Sequence, residues 1–181
     1  MPDALRDSGL LQRFRARGGK YVLITNLDNL GASIDPIVVG RHIDARAVLT
    51  CEVVEKAGDK GGIPIKHHGK TIICEDFRLP IGFDATKVNV FNTNTFFVNA
   101  DALDEYNEPW TYCEVEKKVG GKPAIQRERL VGELTFHLAT RYVKVPREGE
   151  RSRFLPVKDP DELARRRNDI EHVARSRGML E

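Results

Sequence analysis

Residues whose types and spacing could hold a ligand fall at five points along this chain. Asn26-Leu27-Asp28-Asn29 follows a short, mostly apolar run, Lys20 to Thr25, so a carboxylate and two amides sit where a strand ends. In open α/β sheets the carboxyl edge of the strands is where ligands bind. A carboxylate there can hold Mg²⁺, which is commonly bridged to substrate phosphates. The alternative is a turn in which Asp and Asn cap the backbone. Asn92 and Asn94 flank Thr93 between two apolar runs. At i, i+2 on a strand edge they point the same way, and amides, which donate and accept, match the vicinal hydroxyls of a sugar. A β-turn or bulge would use the same residues. Glu75 ends another β run and could accept from two hydroxyls, or be a surface acid. Gly61-Gly62 would let a ligand approach the backbone closely because no Cβ intrudes, or form a plain turn. Lys158 stands directly ahead of a helix start. Free N–H groups, the positive dipole end and a compact ammonium together suit a phosphate; a solvated lysine is the alternative.

Other chemistries lack their residues. The chain has no GxSxG, HExxH or CxxC, and no GxxxxGK[ST] or GxGxxG. His67-His68 falls at an expected hairpin tip and reads as surface. The three cysteines, Cys51, Cys74 and Cys113, sit singly among apolar or β-forming neighbours. That pattern predicts reduced, buried thiols in a cytoplasmic protein. A net charge of +2 gives no strong field for nucleic acid or membrane. The Arg165-Arg166-Arg167 run, with Arg175 and Arg177, reads as a solvated helix face. No apolar h-region follows Met1 and no membrane-length apolar run exists, so the expectation is neither secretion nor membrane spanning.

The elements that must position these residues alternate between helix and strand. Residues 3–17 predict an amphipathic helix with Leu5, Leu10, Leu11 and Phe14 on its apolar side, ended by Gly18-Gly19. The run 20–25 suits a central strand covered on both faces. Asp35-Pro36 opens a helix as N-cap and N1. A long strand follows over 46–56, then a hairpin over 63–75 and a loop over 76–87. Strand pieces are expected at 88–91 and 96–98, with Asp101 capping a short helix. A second hairpin turns at Gly120-Gly121, a helix spans 130–140, and β-like pieces lie at 142–145 and 154–157. The final helix has Asp159 as N-cap, Pro160 at N1, Glu162 at N3 and Gly178 at its end. This alternation predicts α/β with a mixed sheet, and residues 1–181 read as one unit closing on the helix 159–178.

Taken together, six segments resemble one family in its order. Tyr21 to Ala32 is similar to the NxDNLGA segment of UTP–glucose-1-phosphate uridylyltransferases, and Lys60-Gly61-Gly62 to their KGG turn. Glu75 falls at the family's sugar-binding glutamate. Phe91 to Thr95 resembles FNTNN, Gln126-Arg127-Glu128 resembles QLE, and Arg151 to Lys158 matches RSRFLPVK. The resemblance implies a nucleotidyltransferase (GT-A/Rossmann-like) mixed-sheet domain working with Mg²⁺, which makes UDP-glucose and pyrophosphate from UTP and glucose 1-phosphate. It implies Asp28, with Asn26, at the metal and sugar-phosphate region. It implies Gly62, Glu75, Asn92 and Asn94 on the glucose hydroxyls, and Lys158 on the phosphates. The family's upstream glycine-rich loop, uracil-recognition strand and GHGD segment have no counterpart here, nor has its C-terminal β-helix. The expectation is therefore the partial, sugar-holding half of the domain, inactive alone, with a missing N-terminal half or self-association covering a bared apolar face. A non-catalytic binder of sugar phosphate or UDP-sugar, and a pyrophosphorylase for another sugar such as N-acetylglucosamine 1-phosphate, remain as alternatives.

Overall fold

The computed structural model describes residues 2–181. In chain order the elements are α1 (Pro2–Asp7), α2 (Leu10–Ala16), β1 (Tyr21–Ile24), α3 (Pro36–Asp44), β2 (Leu49–Glu55), β3 (Ile63–His67) and β4 (Lys70–Cys74). They continue with β5 (Val90–Asn99), α4 (Ala100–Glu105), β6 (Cys113–Val119), β7 (Lys122–Glu128), α5 (Leu134–His137), β8 (Thr140–Lys144) and α6 (Pro160–Ser176). The central sheet runs β1-β5-β2-β8 and is mixed: β5 is antiparallel to β1 and β2, and β8 is parallel to β2. Hairpins β3-β4 and β6-β7 stand apart as two-stranded ribbons. Among the described residues, no helix is long and apolar enough to cross a membrane.

Alternation along β2 and β5 divides the core in two. Leu49, Cys51, Val53, Phe96 and Val98 pack with Leu11, Leu103 and Leu134 on one face. Val54 and Phe97 pack with Val38, Val143 and Val145 on the other. Side chains at successive strand positions point to opposite faces, and with both faces covered β2 is buried from Leu49 through Val54. Burying each large apolar side chain contributes roughly 1.5–3 kcal/mol. All three cysteines are buried and unpaired.

Several expectations change. The N-terminal helix is two helices, because Gly9 takes the left-handed conformation (φ 67°) and interrupts the ladder. β1 lies at the sheet edge rather than its centre; a four-residue apolar run does not itself reveal how many neighbours it has. The two strand pieces around Asn92-Thr93-Asn94 are one strand, β5, carrying a bulge. Cys51 pairs with Phe96 and Val53 with Asn92, so β5 spans four positions where β2 spans two. Asn94 accommodates the excess with φ 54°. Asp101 lies inside α4's first turn and binds Arg15, while Asn99 holds the N-cap position. The helix expected over 130–140 shrinks to a 3₁₀ turn (Val131–Glu133) and α5. Tertiary partners claim its residues: Thr135 accepts the Ile73 N–H, Glu133 binds Arg78, and 140–144 join β2 as β8. The piece 154–157 makes one isolated bridge, Asn29 to Pro156. The hairpin 63–75 forms as expected, turning at His68 and Gly69 with positive φ. The 112–128 hairpin likewise turns at Gly120-Gly121.

Candidate functional site

The loop after β1 and the segment before α6 are held together by backbone and amide bonds. Leu30 N–H donates to Leu155 O (3.0 Å) and Val157 N–H to Asp28 O (2.8 Å). Asn29, 5 % exposed, uses its whole side chain here. Its Oδ1 accepts from Leu155 N and Gly31 N, and its Nδ2 donates to Arg153 O. Gly31 must be glycine, since an added Cβ would come within 2.7 Å of the Arg153 backbone. Beneath this seam Arg153 forms a two-pronged ion pair with the fully buried Glu52 (2.8 and 2.6 Å) and also donates to Ser33 O. Burial pushes the Glu52 carboxyl up, against the downward pull of Arg153. Arg177 from the end of α6 donates to Gly31 O and Ser152 O.

That seam aligns Asp28 with Lys158. Both line a cleft of about 390 Å³, with Asn26, Asn92 and Asn94 along its wall. A second cleft of about 860 Å³ is lined by Glu75, Gly61 and Glu128. The two share Asn26, Lys60 and Asn94, so they form one trough. Gly62 is buried beneath the Glu75 end; a Cβ there would lie 2.7 Å from Glu75 Oε1 and 3.3 Å from Asn92 Nδ2. All seven residues singled out from the sequence therefore fall in one region, with Asp28 and Lys158 at one end and Gly62 and Glu75 at the other.

The bulge in β5 orients the two asparagines. Asn92 Nδ2 donates to Asn94 Oδ1 (2.8 Å), Asn94 N–H donates to Asn92 Oδ1 (3.0 Å), and the Cys51 thiol donates to the same oxygen. The Glu75 carboxylate has no hydrogen-bond partner among the described residues. Burial raises its pKa and Asp76 adds to the rise, while Arg78 pulls it down. Around the trough, Lys60 and Lys158 are likewise without ion-pair partners among the described residues. Arg147 is taken by Asp59 (2.7 and 3.0 Å). Burial works against the charged Asp59 carboxylate, but bonds from Arg147 and Ala57 N–H outweigh it and hold its pKa below the ordinary value.

The start of α6 differs from expectation in one respect. Asp159 accepts the Glu162 N–H (2.7 Å) and Glu162 accepts the Lys158 N–H (2.8 Å). Carboxylates thus take one N–H of the first turn and the Lys158 N–H ahead of it, and two acidic side chains crowd the helix start, which leaves the Lys158 ammonium as the main positive element there. The arginine run is not uniformly a solvated face: Arg177 braces the seam and Arg166 lines the trough. Their spacing from Glu162 marks a helix face, but which face meets the cleft was not readable from sequence.

For Mg²⁺ the fit is limited and specific. Asp28 presents a half-buried carboxylate with no side-chain partner among the described residues, beside the Asn26 amide. No group of three or more His, Cys, Asp or Glu residues among the described residues could enclose a metal. Such a donor set suits an ion shared with substrate phosphates and water, not a protein cage.

The sequence profile described as UTP–glucose-1-phosphate uridylyltransferase matches residues 1–179. UTP–glucose-1-phosphate uridylyltransferase 2 of Dictyostelium discoideum is 34% identical over 173 residues, covering 88% of this chain and 34% of the relative. The enzyme of that name from Pyrus pyrifolia is 31% identical over 179 residues, covering 92% and 37%. This chain therefore spans about a third of the length of the curated relatives it matches. Among solved structures, a mutant UDP-glucose pyrophosphorylase from Leishmania major in complex with UDP-glucose superposes with a TM-score of 0.70 at 26% identity, over 90% of this chain and 40% of that one.

Proposed function

This chain belongs to the UTP–glucose-1-phosphate uridylyltransferase family, and from that premise we propose that its trough is the sugar- and phosphate-holding part of a site that makes UDP-glucose and pyrophosphate from UTP and glucose 1-phosphate. The observation that carries the reading is the trough itself. It has an acid and a lysine without side-chain partners among the described residues at one end, paired amides along the wall, and a partly desolvated carboxylate over a glycine at the other. A phosphorylated hexose has that polarity: anion at one end, hydroxyls at the other.

In this reading Glu75 and the Asn92–Asn94 pair hold the glucose hydroxyls, and Gly62, buried beneath them, lets Glu75 and Asn92 approach each other closely. Lys158 lies against the sugar phosphate, with Asn26 and Asp28 opposite. A phosphate oxygen attacks the α-phosphorus of UTP, and the bond from that phosphorus to the bridging oxygen of the β-phosphate breaks, releasing pyrophosphate. The protein forms no covalent bond; it aligns the nucleophile and neutralises charge. Mg²⁺, held through Asp28, would supply further charge neutralisation at the phosphates. The 181 residues contain no glycine-rich lysine loop to hold UTP, so we assign to them the sugar-phosphate share of the site, with negligible turnover by themselves. Three free, buried cysteines suit a reducing compartment, and we assign the protein to the cytoplasm.

Calorimetric titration tests the reading. Glucose 1-phosphate should bind saturably and glucose should not, and Lys158→Gln should weaken the sugar phosphate roughly tenfold or more through loss of a charge-assisted contact. Equal binding of glucose and glucose 1-phosphate would sink it. Pyrophosphate release with UTP, glucose 1-phosphate and Mg²⁺ tests the second part, and robust turnover by the purified chain would overturn it.

A further inference from the structure

We propose that Arg166 is a phosphate-contacting residue of the trough, a cation beyond Lys158 whose guanidinium takes the oxygens of a phosphate group. The inference rests on the reading of the trough as a sugar-phosphate site and adds a residue to its anionic end. Arg166 is half-buried and makes no hydrogen bond or ion pair among the described residues. In the same C-terminal segment Arg167 binds Glu171 and Arg177 binds two backbone carbonyls, while Arg165 and Arg175, exposed and likewise without partners among the described residues, line neither cleft of the trough. Arg166 lines the cleft of Asp28 and Lys158 and an adjoining hollow of about 500 Å³, but not the cleft of Glu75. It therefore belongs to the phosphate end.

Charge decides why a further cation is needed there. Glu162, four residues earlier and so on the same face of α6, also lines the cleft, where its carboxylate accepts the Lys158 N–H. With the Arg147–Asp59 pair set aside, Lys60, Lys158 and Arg166 face Asp28 and Glu162. Without Arg166 those charges balance and nothing favours an anion. A guanidinium fork matches two phosphate oxygens at once, which a lysine cannot do.

The phosphate could be that of the sugar phosphate or of pyrophosphate, so both are titrated, with glucose as the neutral probe, against wild type, Arg166→Gln, Arg166→Lys, Arg165→Gln and Lys158→Gln. Arg166→Gln is expected to lose roughly tenfold in affinity for a phosphorylated probe and to show a shallower salt dependence. Arg166→Lys should recover part of the loss, and Arg165→Gln, whose side chain lines neither the trough nor the adjoining hollow, should match wild type. Unchanged melting temperatures exclude a folding effect. A loss confined to pyrophosphate assigns Arg166 to that group; a loss for both assigns it to a shared phosphate position. Wild-type affinity in Arg166→Gln beside weakened Lys158→Gln overturns this inference alone. Failure of wild type to bind either phosphorylated probe overturns the trough reading and this inference with it.

Discussion

The seam and the phosphate end of the trough share two stretches of chain, yet their polar residues do opposite things. In the seam, Asn29, Arg153 and Glu52 spend their hydrogen-bonding capacity on protein, and every group is buried. In the trough, Asp28, Lys158 and Glu75 have no side-chain partner among the described residues. Neighbours in sequence, Asp28 beside Asn29 and Lys158 five residues from Arg153, are thus divided between the seam and the trough wall. Burying a polar group without a partner is costly, so the unpaired groups stand where solvent or a ligand reaches them and the paired ones lie beneath.

The largest effect should come from breaking the seam. Arg153→Met leaves the fully buried Glu52 without its partner, so its carboxyl must stay desolvated as an anion or take up a proton, which should destabilise the chain by about 3–5 kcal/mol in a urea titration. The double change Glu52→Leu with Arg153→Met should regain much of that. A mild effect from Arg153→Met alone would contradict the assignment of this pair to construction. Gly31→Ala comes next, at about 1–3 kcal/mol, because the intruding methyl meets backbone that cannot rotate away.

Glu75→Gln should sharpen the contrast from the trough side. Burial raises the folded-state pKa of Glu75 above its unfolded value. Its relative contribution is therefore most favourable below the unfolded pKa and is lost as pH rises through the folded pKa. The neutral glutamine should raise the melting temperature at neutral pH and change it little at about pH 4, while weakening any sugar ligand. A lower melting temperature at neutral pH would instead make Glu75 a structural residue. Smallest is Tyr106→Phe. The Tyr106 hydroxyl is buried with no partner in the described structure, so its removal should change stability by no more than about 1 kcal/mol, in either direction.

Local pattern made some of the fold legible. Asp35 accepts the Ile37 and Val38 N–H groups as an N-cap should, with Pro36 at the first helical position. The end of α6 closes as a Schellman turn, Met179 N–H to Ala174 O and Gly178 N–H to Arg175 O. Signals of this kind act over a few residues and are written in the sequence. The helix expected over 130–140 failed because competition came from far away in the chain, from Ile73, Arg78 and β2.

By itself the sequence determined the α/β alternation, the two hairpins, the caps of α3 and α6, and the six family-like segments, because each depends on propensity, turn chemistry or residue order over short spans. Only the tertiary structure decided that β1 is an edge strand and that the 92–95 stretch is a bulge within one strand. It alone separated Asn29 and Arg153, which build, from Asp28 and Lys158, which remain open, and set Arg166 in the trough wall. Those outcomes turn on which residues far apart in the chain, from Val53 with Asn92 to Asn29 with Leu155, share a hydrogen bond or a cavity, and neither pattern nor propensity carries that information.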